Sequence, residues 1–176
     1  MIRVAQPEDL DAIEAIYDAI HDLEEAGEVS IGWVRGVYPT RSSAQEALDA
    51  GDLFVELSDD GEVVAAARIN QIQVPEYADA SWEFDAPDDE VMVLHTLTVH
   101  PEYGGKSYGK KFVEFYEQYA REHGCEYLRM DTNAVNSRAR AMYAKLGYNA
   151  ADIVPCVFNG IPGVQLVCLE KQLNVQ

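Results

Sequence analysis

The sequence predicts an α/β (α+β) protein built on a mixed, mostly antiparallel sheet of six to seven strands flanked by about four helices. Three observations carry this. Apolar residues alternate along several short stretches and recur at helical spacing along others. Two turn signals, Asp60-Gly61 and the run "NGIPG", join neighbouring strands as hairpins. In the middle, residues 91–133 form a strand, helix and strand in succession, the arrangement a parallel pairing requires.

Each element follows in order. "MIRVA" is a short strand, and the segment after it sets Leu10, Ile13, Ile16, Tyr17 and Ile20 on one helical face, with Pro7 near the first turn and Gly27 as the stop. "SIGWVRGVYPT" is a loop or a short irregular helix. "SSAQEALDAG" is a brief helix running from a serine cap to a glycine stop. Residues 52–73 form the first hairpin, and residues 74–90, polar and bearing proline and aromatic side chains, form a long surface connection of the kind that often holds binding residues. "VMVLHTLTVH" is a strand, and the helix after it stacks Phe112, Phe115, Tyr116 and Tyr119 into a core stripe that ends at Gly124. "CEYLRMDTN" is a strand, the next helix opens at Asn136 and closes at Gly147, and a last hairpin completes the chain.

Length and composition bound the rest. The 176 residues, 48% of them hydrophobic, suit one domain spanning residues 1–176. No apolar run is long enough to cross a bilayer, and "MIRVAQPEDL" lacks the layout of a signal peptide, so a cytoplasmic protein without a membrane partner is expected. Cys125, Cys156 and Cys168 lack metal-ligand spacing and are expected as reduced thiols, although Cys156 and Cys168 could face each other across the last hairpin. No metal is expected. The net charge of −18 argues against nucleic acid. That charge is uneven: residues 101–150 carry +2 and the remainder −20, which suits a small anion on the middle segment and a cation near the rest. Exposed hairpin edges are compatible with a homodimer.

The basic middle segment contains "HPEYGGKSYGKKF", three glycines and three lysines directly after a strand. It is not a P-loop: the first glycine of that pattern falls on His100, and Pro101 would occupy the phosphate-wrapping turn. The physics of anion binding remains, because glycines leave backbone N–H groups accessible and a helix start offers unpaired donors.

With the following "LRMDTNAVNSRARAMYAKLGY", this segment resembles the GNAT superfamily of acetyl-CoA-dependent N-acetyltransferases. The family's terminal helix pattern, Asn-x-x-Ala-x-x-Leu-Tyr-x-Lys-x-Gly-Phe/Tyr, falls on Asn136, Ala139, Met142, Tyr143, Lys145, Gly147 and Tyr148, with methionine in place of leucine. The loop departs further: Gly104 stands where the family has Arg or Gln, and Ser107 stands at its first glycine.

The resemblance implies a GNAT fold and direct transfer of acetyl from acetyl-CoA to a primary amine in a ternary complex. It places the pyrophosphate on Gly104, Gly105, Lys106, Ser107, Tyr108, Gly109 and Lys110, the pantetheine along Leu97, Thr98 and Val99, and an orienting contact at Asn136. Tyr143 matches the family's general acid. His95 lies four residues before Val99, where many members carry glutamate, and imidazole titrates near neutrality, which makes it the candidate base. Trp33, Tyr38 and Trp82 are candidate walls for the amine, and Glu83 a candidate cation binder. The small-molecule enzyme is the leading expectation; a non-catalytic acyl-CoA sensor and a protein or peptide N-acetyltransferase are the alternatives.

Overall fold

A computed structural model of the chain describes residues 1–173. Its strands are β1 (Ile2–Val4), β2 (Leu53–Leu57), β3 (Val63–Asn70), β4 (Val91–Val99), β5 (Tyr127–Asn133), β6 (Asn149–Phe158) and β7 (Ile161–Gln172). Its α-helices are α1 (Leu10–Glu25), α2 (Arg41–Asp49), α3 (Tyr108–Glu122) and α4 (Ser137–Lys145). The strands make one seven-stranded sheet in the order β1-β2-β3-β4-β5-β7-β6, antiparallel throughout except for the parallel pair β4 and β5.

Helices cover the sheet where their apolar faces dictate. The five apolar residues assigned to the first helical face are all buried in α1. Leu10, Ile13 and Tyr17 pack with Ala44 and Ala47 of α2 on the side of the sheet that carries Val55 and Ala66. On the other side α3 buries Phe112 and Tyr116 completely, against Leu94, Leu128 and Met130. Burying each such aromatic contributes about 1.5–3 kcal/mol, and Phe112→Ala would cost about 3–5 kcal/mol through the cavity it leaves. The Tyr116 hydroxyl keeps its hydrogen bond by donating to Met92 O at 2.7 Å.

Three details differ from the sequence expectation. The cap of α2 is Thr40: its hydroxyl accepts from the Ser43 N–H at 3.2 Å, and the Ser43 hydroxyl accepts in return from the Thr40 N–H at 2.9 Å. The 74–90 connection is not wholly superficial, because Tyr77 is 3% exposed and packs on Val91 and Val93. Cys168 lies opposite Asp152, and Cys156 opposite Val164, so the two thiols are not cross-strand partners; all three cysteines are free.

One feature of the sheet positions the site. β4 and β5 pair only from Val91–Tyr127 to Leu94–Met130, although both strands continue beyond. Past His95 the pairing of β4 with β3 slips by one residue, and Thr96 takes a positive φ of 54°. That bulge bends β4 away from β5 and splits the sheet at its centre.

Candidate functional site

The split opens a cleft of about 1150 Å³ that runs from the start of α3 to the segment before α2. Its β4 wall is a free strand edge. Ala65 faces Val99 while the His100 N–H donates to Val64 O at 2.8 Å, which makes 65–99 a non-hydrogen-bonded pair. The Val99 N–H and C=O therefore point away from β3, into the opening. Leu97, Thr98 and Val99 all line the cleft; the buried Thr98 hydroxyl donates to Ala66 O.

At the end of this wall the loop lifts unpaired donors toward the cleft. Among the described residues, no protein acceptor receives the backbone N–H groups of residues 105–110, and the first intrahelical bond of α3 runs from the Lys111 N–H to Ser107 O at 3.0 Å. Ser107 reaches this geometry in the left-handed region, with φ 65°, where the family has glycine. A non-glycine residue there costs about 1–2 kcal/mol.

Gly104, Gly105, Ser107, Tyr108, Gly109 and Lys110 line the cleft, and so does Asn136. Asn136 caps α4 by accepting from the Ala139 N–H at 3.2 Å. Lys106 is not among the lining residues; its ammonium lies over the Tyr103 ring, 4.8 Å from the centroid. Gly104 itself offers no side chain where the family has Arg or Gln. The structure brings another residue there: a Cβ on Gly104 would stand 3.6 Å from the Arg138 guanidinium, which itself lines the cleft. A signal was present, because a cation in the first turn of a helix opposes the dipole unless an anion joins it.

Tyr143, 7% exposed, projects from α4 into the cleft beside Tyr148. Burial, and then the negative field of Asp131, push its phenol well above the ordinary tyrosine value, so it holds its proton across the neutral range. His95, on the opposite face of β4, also lines the cleft. The Asn70 side chain donates from Nδ2 to Asp52 at 3.0 Å, which leaves its Oδ1 to accept from the Ile72 N–H at 3.0 Å and from His95 Nε2 at 2.8 Å. His95 is thus protonated on Nε2, with Nδ1 as its basic nitrogen. Burial and the neighbouring Arg68 push the imidazole down to about 4.

The far half of the cleft is lined by Trp33, Tyr38 and Phe158, with the Tyr38 and Thr96 hydroxyls hydrogen-bonded across it. The segment that carries Trp33 is pinned down: Glu24 accepts from the Ile31 and Gly32 N–H groups at 2.7 and 2.8 Å. Gly32 approaches Asn133 so closely that a Cβ would fall 2.3 Å from its amide nitrogen.

Trp82 and Glu83 are not brought into the cleft. The Trp82 ring lies against the Arg129 guanidinium, 4.1 Å from Cζ to centroid, and its Nε1 donates to Tyr77 O at 2.9 Å. The Glu83 N–H donates to the buried Glu170 carboxylate at 2.6 Å. Both residues tie the 74–90 connection to β5 and β7, a task imposed by the need to partner the buried Arg129 and Glu170. Asp131, which sequence reasoning passed over, does line the cleft, and its Oδ2 accepts from the Tyr77 hydroxyl at 2.6 Å. Its mark in the sequence is an acid between Met130 and Thr132 in a strand next to the bulged one.

The fold is shared with solved acetyltransferases. A GNAT-family acetyltransferase from Streptococcus agalactiae superposes with a TM-score of 0.80 at 22% identity, over 99% of this chain and 96% of that one. The yncA protein of Salmonella typhimurium, solved with its cofactor acetyl-CoA, gives 0.71 at 19% identity, over 100% and 95%. A ribosomal-protein-alanine N-acetyltransferase from Brucella melitensis gives 0.71 at 18%, over 98% and 99%. At such identities the likeness speaks for the fold alone. The sequence pattern of the GNAT acetyltransferase family matches residues 14–148, so the chain belongs to that family. No curated protein sequence matches it significantly.

Among the described residues, no group of three or more His, Cys, Asp or Glu side chains is placed to hold a metal ion. No helix among them is long and apolar enough to cross a membrane.

Proposed function

We propose that this acetyltransferase moves the acetyl group of acetyl-CoA directly onto a primary amine of a small molecule, both substrates being held at once in the cleft. The observation that carries this is the continuity of the cleft: one opening joins the unpaired donors at the start of α3, the free edge of β4, Tyr143 and the enclosed aromatic half. The residues fit the donor. Backbone N–H groups of residues 105–110, with Lys110 and Arg138, suit a pyrophosphate, and the outward groups of Val99 suit an amide-bearing chain laid beside β4.

Tyr143 keeps its proton for the leaving thiolate. Val99 N–H is the backbone donor nearest in kind to what a developing oxyanion needs. No cysteine lines the cleft, and burial pushes the Cys168 thiol up to about 12, which accords with transfer without an acyl-cysteine. The pinned 29–39 segment narrows the acceptor half, which favours a small amine over a protein segment. Free and largely buried thiols suit the cytoplasm, where we place the protein.

The test is thermal unfolding with acetyl-CoA, CoA and ATP, followed by CoA release over an amine panel. At 100 times Kd a ligand selective for the native state adds about 2.7 kcal/mol, a rise of about 5–10 °C for a chain of this size. Rises with both CoA species, none with ATP, and turnover with an amine are expected. Binding without turnover on any amine would point to a sensor, and turnover confined to peptides to a protein acetyltransferase.

A further inference from the structure

The acceptor half of the cleft holds a half-buried carboxyl group on β5 that has no task in binding the donor. Asp131 projects from the face of β5 opposite Leu128 and Met130, which point into the core beneath α3. Its Oδ2 is engaged by Tyr77, and no described residue donates to Oδ1, although the side chain lines the cleft. Around it the walls are Trp33, Tyr38, Phe158, Ile161 and Leu166.

Cations are scarce on that side. Lys110, Arg138 and Lys145 belong to α3 and α4, across the sheet. The remaining lining cation is Arg68, which Asp52 at 3.2 Å and Glu46 at 3.5 Å already neutralise.

We propose that Asp131 receives the ammonium group of the acceptor and takes its proton, and that the acceptor is a primary amine on an uncharged apolar or aromatic body. This deepens the N-acetyltransferase reading and rests on it. A carboxylate opposite Asp131 would need a free counter-charge that the walls lack, whereas an apolar body gains from burial against aromatic rings. The groups facing Asp131 are Tyr77 and Glu76 from the 74–90 connection, Tyr38 from the segment before α2, Tyr143 from α4, Cys168 from β7 and Cys156 from β6. Burial pushes the Asp131 carboxyl up to about 6, the Tyr77 hydrogen bond opposing and Glu76 adding to it, so it is ionised at neutral pH and basic enough to accept a proton.

The step balances. Asp131 takes one proton from the ammonium, and the nitrogen lone pair forms the C–N bond as the C–S bond breaks. The sulfur takes the Tyr143 proton, and the second nitrogen proton restores the phenol. One proton per turnover then leaves Asp131 for solvent.

The experiment compares CoA release with 2-phenylethylamine and with phenylalanine, which differ by one carboxylate, between pH 5 and 9. The wild type, Asp131→Asn and Tyr77→Phe are used, each checked for a melting rise with acetyl-CoA. The expected kcat/KM is at least tenfold higher for 2-phenylethylamine, with an acid limb near pH 6. Asp131→Asn is expected to lose at least a hundredfold and the limb with it. Tyr77→Phe, which removes a hydrogen bond to the carboxylate, is expected to move the limb to higher pH. Equal or better use of phenylalanine, or a wild-type rate and limb in Asp131→Asn, would overturn the proposal. So would the absence of turnover with either amine while acetyl-CoA still raises the midpoint, an outcome that leaves the donor site standing. No response to acetyl-CoA at all would defeat the functional reading itself.

Discussion

Replacing His95 by glutamine separates two bases that sequence alone would merge. The glutamine amide can still donate to Asn70 Oδ1, as His95 Nε2 does at 2.8 Å, while the titrating ring is removed. With its pKa held near 4, about 1% of His95 is protonated at pH 6, against about three quarters for an unperturbed imidazole. His95 therefore carries no titration between pH 5.5 and 8, and an acid limb in that window must come from another group. The same shift acts on stability. The unfolded chain binds a proton at His95 near pH 6.5 and the folded chain only near 4, so stability is full above 6.5 and is lost as pH falls toward 4. At pH 5 the loss is about 2 kcal/mol, or about 4–8 °C for a chain of this length. The melting difference between His95→Gln and the wild type should thus swing by that amount in favour of the variant between pH 8 and pH 5. Its kcat/KM profile should keep the wild-type acid limb. A wild-type limb centred near pH 6.5 that disappears in the variant, with no relative gain in acid stability, would refute the burial argument and restore His95 as a neutral-range base.

Three further outcomes are expected. Tyr143→Phe should leave acetyl-CoA affinity near normal and lower kcat at least tenfold, about 1.4 kcal/mol of barrier, in steady-state assays; unchanged kcat would remove it as the acid. Glu56 is 2% exposed, its Oε2 has no partner among the described residues, and burial pushes its carboxyl up to about 7. The folded state keeps a proton that the unfolded chain releases near pH 4.5, so stability falls as pH rises to 7, and Glu56→Gln should gain up to about 3 kcal/mol at pH 8 and nothing at pH 4 in urea titrations. Arg138→Ala should weaken CoA about tenfold by calorimetry at low salt, with the difference shrinking as salt rises; equal affinities would return the missing loop charge to Lys110.

Apolar periodicity made the elements legible, because burying one face of α1 or α3 is a local demand written at helical spacing. The donor half of the site was legible for a similar reason: loop, strand edge and helix start lie within one stretch of about 45 residues, and backbone groups do much of the binding. The acceptor half draws on residues far apart in sequence, such as Tyr38 and Thr96, or Tyr77 and Asp131. No local pattern announces such pairings. Trp82 and Glu83 had the right chemistry for an amine site, but the cost of burying Arg129 and Glu170 recruited them elsewhere. Gly104 looked like a loss of charge until α4 placed Arg138 beside it.

The split between β4 and β5 explains why these scattered residues form one site. Past Leu94 and Met130 neither strand has the other as a partner, and an unpaired strand in a sheet interior is costly unless something else satisfies it. The bulge at Thr96 keeps the strands from closing again, and Tyr38, bonded to Thr96, holds the bulge from the acceptor side. On the donor side α3 and α4 pack on the diverging strands and bring Ser107, Arg138 and Tyr143 to the same opening. The backbone demand left by the split and the chemistry of the reaction therefore fall at one place. A chain laid along β4 would satisfy Val99 while the two faces of the sheet deliver an acid, Tyr143, and a carboxylate, Asp131, from opposite sides.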